Sequence, residues 1–284
     1  MMDATTLLEA VASENRGTHW ELVRRVPLTF PTHHPQGLAL VGDYIFLSSV
    51  QVLEAPLHVF DPLRSTPGSG IGHMFVVDLG GELIEDIHLG AGDMYHPGGI
   101  DFDGCNIWVP VGEYRPAGNS MVLTVDPKSF EVSERFRIKD SIGWTVSDSQ
   151  TETIHGGNWG SRTFYTWDVD GEELQRWTNP SSFIDYQDCQ FVEAGRAICS
   201  GIAVLPQPSG KGEYELGGLA IVDFISQHIL HETPIQIFSK AGHVITRNPF
   251  ALTRNLDGLF LHVAPDDGTE VGGTELLTFK AEVR

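Results

Sequence analysis

A repeated stretch of four residues, His-Pro-x-Gly, is the feature that most constrains the fold of this chain. His34-Pro35-Gln36-Gly37 leads into an apolar segment that turns at Gly42 and continues as a second apolar segment, and His96-Pro97-Gly98-Gly99 does the same around Gly104. Short apolar runs joined at a glycine are typical of β-hairpins. Because the two copies match position by position, they predict a repeat architecture.

Each copy is followed by two more strand candidates, so the predicted repeat unit has four strands. The third strand of the unit ends in aspartate in four copies, at Asp78, Asp126, Asp168 and Asp223. The last copy, which begins at Asn248, supplies only three strands, while an apolar segment at residues 20–26 belongs to no unit. Pairing that segment with the last unit would close a ring and cover strand edges that would otherwise be exposed.

The pattern therefore predicts an all-β fold, a five-bladed β-propeller with four-stranded antiparallel blades in which the N-terminal strand closes the last blade. We expect a single domain over residues 1–284, with an N-terminal extension at 1–19. The expected blades lie near residues 34–90, 96–140, 143–180, 186–238 and 248–284, with the closing strand at 20–26.

The charge of the chain excludes several classes of partner. Its 38 acidic and 18 basic residues give a net charge of −20, which repels phosphate backbones and anionic membrane surfaces. We therefore expect a small-molecule partner and neither nucleic acid nor membrane. No signal peptide or long apolar span is visible, so a cytoplasmic location is expected. The oligomeric state stays open.

The longest loops are predicted on one face of the ring. They connect second to third strands, so they lie on the same side as the entries of the inner strands. Loops longer than about a dozen residues are uncommon unless they are functional. The predicted loops are 51–72, 112–120, 158–162, 205–217 and 265–273.

Ionisable side chains are expected at the channel mouth on that face. The repeat aligns His34, His96 and Asn248 at the entry of an inner strand, with Tyr186 near the same place. His34, His96 and His155 are candidate ligands of a divalent metal, and nitrogen donors favour zinc, manganese or iron over calcium. The structural alternative is that His-Pro begins the strand and that His155 is a hydrogen-bonded residue between blades. No nucleotide cofactor is expected, because the chain has no phosphate-binding glycine motif.

The loops supply further candidates. Glu113 is a candidate general acid or base, with a Glu–Arg ion pair to Arg115 as the structural alternative. Trp159 and Arg162 suit a planar or anionic ligand. Asp266-Asp267 is typical of a turn, with an acid–base or metal role as the alternative. The expected substrate-binding residues are Tyr114, Arg115, Trp159, Arg162, Tyr186, Gln187, Asp188 and Asn248.

The cysteines do not predict a disulfide framework. Cys105, Cys189 and Cys199 are few and scattered, so we expect buried thiols. Cys189 and Cys199 flank one predicted hairpin turn, which leaves a redox pair as the alternative.

Several of these segments together resemble an uncharacterised bacterial and fungal family of five-bladed propellers, over roughly residues 20–280. The resemblance implies the fold and no particular activity. More distantly, the chain is similar to the calcium-dependent gluconolactonase and regucalcin propellers, whose six blades and Glu/Asn/Asn/Asp metal set do not align with it. The segments that carry the family resemblance are 34–37, 96–104, 113–116, 159–162, 185–189 and 247–249.

Three hypotheses follow for function. The first is an enzyme that acts on a small oxygenated or aromatic molecule in the axial pocket, by hydrolysis, elimination or isomerisation and with or without a metal. Its expected catalytic residues are His34, His96, His155 and Glu113. The second is a metal-free cyclase of secondary metabolism that acts by positioning alone. The third is a non-catalytic ligand-binding or scaffold propeller.

Overall fold

The computed structural model describes residues 6–57 and 65–282, which fold into five antiparallel sheets. Residues 58–64 of the expected loop 51–72 lie outside the described residues, as do residues 1–5 of the N-terminal extension and 283–284 of the last blade.

The strands follow one another around the ring, blade by blade. The chain begins with helix α1 (Leu7–Ser13) and strand β1 (Trp20–Pro27). Blade 1 consists of β2 (His34–Val41), β3 (Tyr44–Glu54), β4 (Ser69–Asp78) and β5 (Leu83–Leu89). Blade 2 consists of an inner strand in two pieces, β6 (Met94–Pro97) and β7 (Asp101–Phe102), then β8 (Ile107–Glu113), β9 (Ser120–Val125) and β10 (Val132–Ile138). Blade 3 consists of β11 (Ile142–Asp148), β12 (Thr153–Asn158), β13 (Thr163–Asp168) and β14 (Glu173–Thr178). Blade 4 consists of β15 (Asp185–Glu193), β16 (Arg196–Pro206), β17 (Glu213–Asp223) and β18 (His228–Ile235). Blade 5 contains β19 (Phe250–Asn255), β20 (Gly258–Val263) and β21 (Glu275–Ala281).

The N-terminal strand completes blade 5. Strand β1 pairs antiparallel with β21, from Trp20 opposite Ala281 to Pro27 opposite Glu275, so the order in this sheet is β1-β21-β20-β19. The predicted five-bladed propeller and its closing strand are therefore confirmed. Helix α1 precedes the closing strand and buries Leu8 and Val11 in the apolar cluster of blades 4 and 5.

Burial decreases from the middle strands of a blade to its outer strand. In blade 2, every residue of β8 and β9 is buried, whereas most of β10 is exposed. Each sheet packs its faces on the neighbouring blades, which is why these two middle strands are buried on both faces. Between blades 3 and 4, for example, Trp144, Phe164, Tyr186 and Phe224 form one buried aromatic cluster.

A buried aspartate of blade 4 connects blades at the axis. Asp188 is fully buried on β15. Its Oδ2 accepts hydrogen bonds from the backbone N–H groups of Leu38 (3.0 Å) and Phe250 (3.1 Å), and its Oδ1 accepts from that of Ile100 (2.9 Å). One side chain thus links blade 4 to the inner strands of blades 1, 2 and 5.

A second buried carboxylate reaches the remaining blade. Asp101 on β7 is 5% exposed, and the backbone N–H groups of Phe191 in blade 4 and Ser147 in blade 3 stabilise its charged form. Burial raises the pKa of both Asp101 and Asp188 well above the usual range, against the effect of these N–H groups. Together the two carboxylates connect all five blades.

The glycine of each His-Pro-x-Gly repeat is explained by this close packing. A Cβ atom on Gly37 would lie 2.6 Å from the backbone nitrogen of Ile100, and one on Gly99 would lie 2.6 Å from Oδ1 of Asp188. Any larger residue would therefore push the inner strands apart at the axis.

The cysteines differ from the expectation of buried thiols. Cys189 and Cys199 form a disulfide, because they lie directly opposite each other on β15 and β16, with 4.0 Å between their Cα atoms. Cys105 is free but exposed. No helix within residues 6–57 and 65–282 is long and apolar enough to cross a membrane.

We expect Asp188→Asn to lower the free energy of unfolding by about 3 kcal/mol or more. The amide keeps one acceptor oxygen but turns an NH₂ group toward backbone N–H donors, and each buried donor left unpaired costs about 1–3 kcal/mol. Urea unfolding measures the effect, with the exposed turn residue Asp43 changed to Asn as the matched control. Equal stability of the two variants would contradict the role given to Asp188.

Candidate active site at the channel mouth

A small cavity with an open mouth lies on the loop-rich face above the inner strands. It is bounded by blades 1 to 4 at the places where second strands end and inner strands begin. The lining residues are Gln36, His96, Gly112, Glu113, Tyr114, Ser141, Ile142, Gly143, Trp159, Gly160, Tyr186 and Gln187.

Aromatic rings form one wall of this cavity. The His96 ring centroid lies 4.1 Å from that of Tyr114, which lies 5.5 Å from that of Trp159. Trp159 is 40% exposed. A planar or apolar group of a ligand could pack against this wall, because aromatic faces combine a large contact area with few rotatable bonds.

A histidine–aspartate pair lies near His96 and Tyr114, next to the cavity but not among its lining residues. Nδ1 of His34 is 2.7 Å from Oδ1 of Asp267, which lies in the loop between β20 and β21. Both side chains are partly open to solvent, 25% and 20% exposed. When Nδ1 donates to the carboxylate, Nε2 carries the lone pair, and it has no hydrogen-bond partner in the described part of the chain.

Charged neighbours favour an ionised Asp267. The Arg247 guanidinium lies 3.5 Å from its Oδ1. Burial alone would raise the pKa of the Asp267 carboxyl, but the hydrogen bond from His34 and the charges of His34, Arg247 and His243 lower it below the usual value. The carboxylate is therefore suited to orient the His34 ring and to stabilise a positive charge on it.

The ion-pair network continues outward from Asp267. Glu270 lies 3.8 Å from Arg247 and 2.8 Å from Nε2 of His243, whose Nδ1 is 2.7 Å from Glu215. Burial opposes a charged His243, yet the hydrogen bonds with Glu215 and Glu270 raise its pKa. These contacts hold the 265–273 loop of blade 5 against blade 4, and so fix the position of Asp267.

The environment of the His96 ring favours its neutral form, whereas that of Asp267 favours the charged form. Burial, with the nearby charge of His34 in second place, lowers the pKa of His96 to about 3. The ring is therefore neutral at physiological pH. The structure thus brings together two of the predicted histidines, one paired with a carboxylate and the other kept neutral. We call His34, His96, Tyr114, Arg247 and Asp267 the channel-mouth site.

Glu113 lines the cavity but has two partners already. Its Oε2 accepts from Nε of Arg115 at 2.5 Å, and its Oε1 accepts from Asn119 at 2.6 Å. The Glu–Arg ion pair of the structural alternative is present, but Glu113 is 9% exposed and the pair is not a solvated one. Arg115 is not among the lining residues of the cavity, and it also donates to the backbone carbonyl of Ser65.

Two predicted residues lie away from the channel-mouth site. His155 is buried between blades 3 and 4, hydrogen-bonded to Thr166 at 2.9 Å and stacked on Phe224 at 4.3 Å, as in the structural alternative. Arg162 donates to the backbone of Gly160 and Ser181 and to Asp185, and so holds its own loop. Neither residue lines the cavity.

Of the four substrate-binding candidates in blades 4 and 5, two line the cavity and two do not. Tyr186 and Gln187 line the cavity, although Tyr186 is 2% exposed and stacks mainly on Phe164. Asp188 is fully buried with both oxygens bound to backbone groups, which corrects its assignment as a substrate-binding residue. Asn248 is 4% exposed at the entry to blade 5 and does not line the cavity.

The predicted three-histidine metal site is not assembled. Within residues 6–57 and 65–282, His34, His96 and His155 are not close enough to share one ion. The packing of His155 between blades 3 and 4 explains why. The one group of such residues with suitable spacing in this part of the chain is His73, Asp86 and His88 in blade 1.

Sequence reasoning missed the partners of His34. Asp267 was interpreted first as a turn residue, and Arg247, His243 and Glu270 were not among the candidates. The one available signal was position: Arg247 directly precedes the Asn248-Pro249 copy of the repeat, and Asp267 lies in a predicted loop of the same face.

Comparison with known proteins identifies the family. Residues 3–281 match the family of unknown function DUF6454. The chain belongs to this family. No curated protein sequence matches this DUF6454 chain.

Solved structures are similar to the DUF6454 protein in fold alone. The tail fibre of Staphylococcus aureus phage P68 has 9% identity and a TM-score of 0.56, and the match covers 94% of this chain and 53% of the tail fibre. Hydrazine synthase of Kuenenia stuttgartiensis has 14% identity and a TM-score of 0.43, with 89% of this chain and 59% of that one covered. A protein of unknown function from Bacteroides caccae has 12% identity and a TM-score of 0.47, with 88% and 77% covered. The chain thus spans little more than half the length of the first two.

We expect buried His155 to make stability depend on pH. Burial lowers its pKa to about 4, against about 6.5 in an unfolded chain. Below pH 6.5 the unfolded state therefore binds the extra proton, and the stability that the neutral ring contributes is lost as the pH falls toward 4. Relative to His155→Gln, the wild type should lose up to about 1.4 kcal/mol per pH unit in this window. Urea unfolding of both proteins at pH 4 to 8 tests this, and their difference in the free energy of unfolding at pH 8 is the baseline. A difference that stays constant over this pH range would contradict the prediction.

Proposed function

We propose that this protein is an enzyme that acts on a small oxygenated or aromatic molecule in the channel-mouth cavity by acid–base catalysis. Its reaction belongs to the hydrolysis, elimination or isomerisation classes. The observation that carries the proposal is the His34–Asp267 pair at 2.7 Å, beside a second imidazole, His96, that burial keeps neutral. An imidazole hydrogen-bonded to a carboxylate, next to a second imidazole, is an arrangement typical of acid–base sites.

Each residue of the channel-mouth site has a role in this proposal. His34 takes a proton through Nε2, while Asp267 orients the ring and stabilises the imidazolium. Burial and the Asp267 charge raise the pKa of Tyr114, so its hydroxyl stays protonated and can donate a hydrogen bond to a substrate oxygen. The neutral His96 can donate or accept a hydrogen bond on the other side of the substrate. Tyr114 and Trp159 supply the wall on which a planar group packs.

Metal binding at the channel-mouth site is tested separately from acid–base catalysis. Zinc, manganese or iron would have to bind through His34 and His96 without His155, and would use Nε2 of His34 while Nδ1 keeps its contact with Asp267. Elemental analysis of protein purified without chelator would detect such an ion.

A non-catalytic ligand-binding propeller is the second candidate. Two features favour it: the axis below the cavity is filled by the Asp188 and Asp101 contacts, and hairpins of the loop-rich face carry exposed apolar side chains such as Leu53 (61%) and Val204 (52%). Both candidates use the same face, and they differ in whether bound ligand is converted.

The decisive test is turnover by wild type and matched variants. Small aryl esters, lactones and β-hydroxy carbonyl compounds would be screened by tryptophan fluorescence for binding and by mass spectrometry for conversion. For a compound that is converted, we expect His34→Gln and Asp267→Asn to lower kcat by about 10²–10⁴-fold, as for loss of a general base or its orienting carboxylate. His228→Gln, an exposed histidine on the outer strand of blade 4, is the control and should keep full activity.

The outcomes separate the two candidates. Conversion that is unaffected by His34→Gln and His96→Gln contradicts the proposed site. Binding without conversion of any compound favours the ligand-binding propeller.

We infer the cytoplasmic location from the sequence alone, and the disulfide offers its test. Stable disulfides are rare in cytosolic proteins. In cells lysed into denaturant with an alkylating reagent, so that the fully buried side chains react, a cytoplasmic protein should therefore carry alkylated Cys189 and Cys199. An intact bond would indicate an oxidising compartment.

A further inference from the structure

Three side chains with metal-binding groups lie on one face of blade 1, outside the channel-mouth site. His73 on β4 is directly opposite His88 on β5. Asp86 comes two residues before His88 on the same strand, so its side chain is on the same face of the sheet. Phe75 is on this face too and packs with Leu28, so the face is turned toward the segment that leads from the closing strand into blade 1.

The distances within this group are close to those of a metal site. Nδ1 of His73 lies 2.8 Å from Oδ1 of Asp86, and Nε2 of His88 lies 3.9 Å from Oδ2 of Asp86. One ligand atom from each residue lies within 4.8 Å of the other two. Ligand atoms about 3.3 Å apart surround a tetrahedral zinc ion with bonds of about 2.0–2.1 Å, so small side-chain rotations would suffice.

The three side chains differ in exposure, from a buried one to one that is largely open to solvent. The side chains of His73, Asp86 and His88 are 5%, 35% and 67% exposed. An ion could therefore enter past His88 and reach a buried ligand. Nε2 of His73 is buried without a hydrogen-bond partner in the described part of the chain, so this ring is not fully satisfied by its contact with Asp86.

A fourth imidazole borders the group. The His33 ring stacks on His73 with 5.0 Å between centroids. His33 has a positive φ of 57° and lies between β1 and β2, where the ring of blades closes.

We propose that His73, Asp86 and His88 bind one divalent transition-metal ion of the zinc type, at the seam where blade 5 meets blade 1. Two imidazoles and one carboxylate suit zinc, and ions such as calcium and magnesium prefer all-oxygen ligands. Water or His33 would occupy the fourth position. The ion would hold the outer strands of blade 1 beside the closing segment, and so stabilise the ring.

The test uses the full chain after treatment with chelator. Titration calorimetry with ZnCl₂ should show one site on the wild type, and the melting temperature should rise with zinc concentration, because an ion that binds only the folded state stabilises it. His88→Gln and Asp86→Asn should each lower zinc affinity at least 10-fold and abolish the rise in melting temperature. Cobalt(II), as a spectroscopic substitute, should give visible absorption bands of a tetrahedral site in the wild type and lose them in both variants.

The controls keep this proposal separate from the proposed function. His228→Gln, again an outer-strand histidine, and His34→Gln at the channel mouth should both bind zinc like the wild type. His88 is largely exposed, so His88→Gln should fold normally, and circular dichroism of the zinc-free variant checks this. The proposal is wrong if the wild type binds no zinc at micromolar concentration, or if His88→Gln and Asp86→Asn bind it as tightly as the wild type.

Discussion

The Asp188 carboxylate at the axis is the interaction on which the rest of this propeller depends. Each inner strand pairs mainly within its own blade, and a parallel bridge between Gly99 and Trp144 joins the inner strands of blades 2 and 3, so other backbone N–H groups at the axis need a different acceptor. A buried carboxylate with several lone pairs satisfies three such strands from one point, at Leu38, Ile100 and Phe250. The price of burying the charge is offset only while these donors stay in place.

The position of the channel-mouth site follows from this constraint. His34 and His96 each come four residues before a backbone N–H that binds Asp188, at Leu38 and Ile100. The carboxylate therefore fixes the two inner strands that carry these histidines near their starts. Since these contacts fill the axis directly below the cavity, a ligand on the loop-rich face would lie at the mouth, beside His96 and the aromatic wall.

The five-bladed fold could be predicted from the sequence because the repeat that indicates it lies within short segments of the chain. Each hairpin of a His-Pro-x-Gly copy is encoded within a short segment, and the shared position of His34 and His96 followed from aligning the copies. The partner of His34 could not be predicted in this way, because Asp267 is more than two hundred residues away and lies in a loop outside the repeated hairpins. A polar residue type also does not indicate which way its side chain points. The sequence predicts Asp188 at the substrate, but the carboxylate lies inside the ring, where it accepts hydrogen bonds from backbone N–H groups of the inner strands.

The contrast between Asp188 and Asp267 explains why only one of them belongs to the proposed active site. Asp188 is fully buried, and backbone donors occupy both of its oxygens, so any change in its charge would disturb several blades. Asp267 is 20% exposed, is held ionised by Arg247 and His34, and can respond when its imidazole partner gains a proton. A carboxylate can assist proton transfer only where its other contacts survive the change of charge, and in this ring that condition holds at the mouth and fails at the axis.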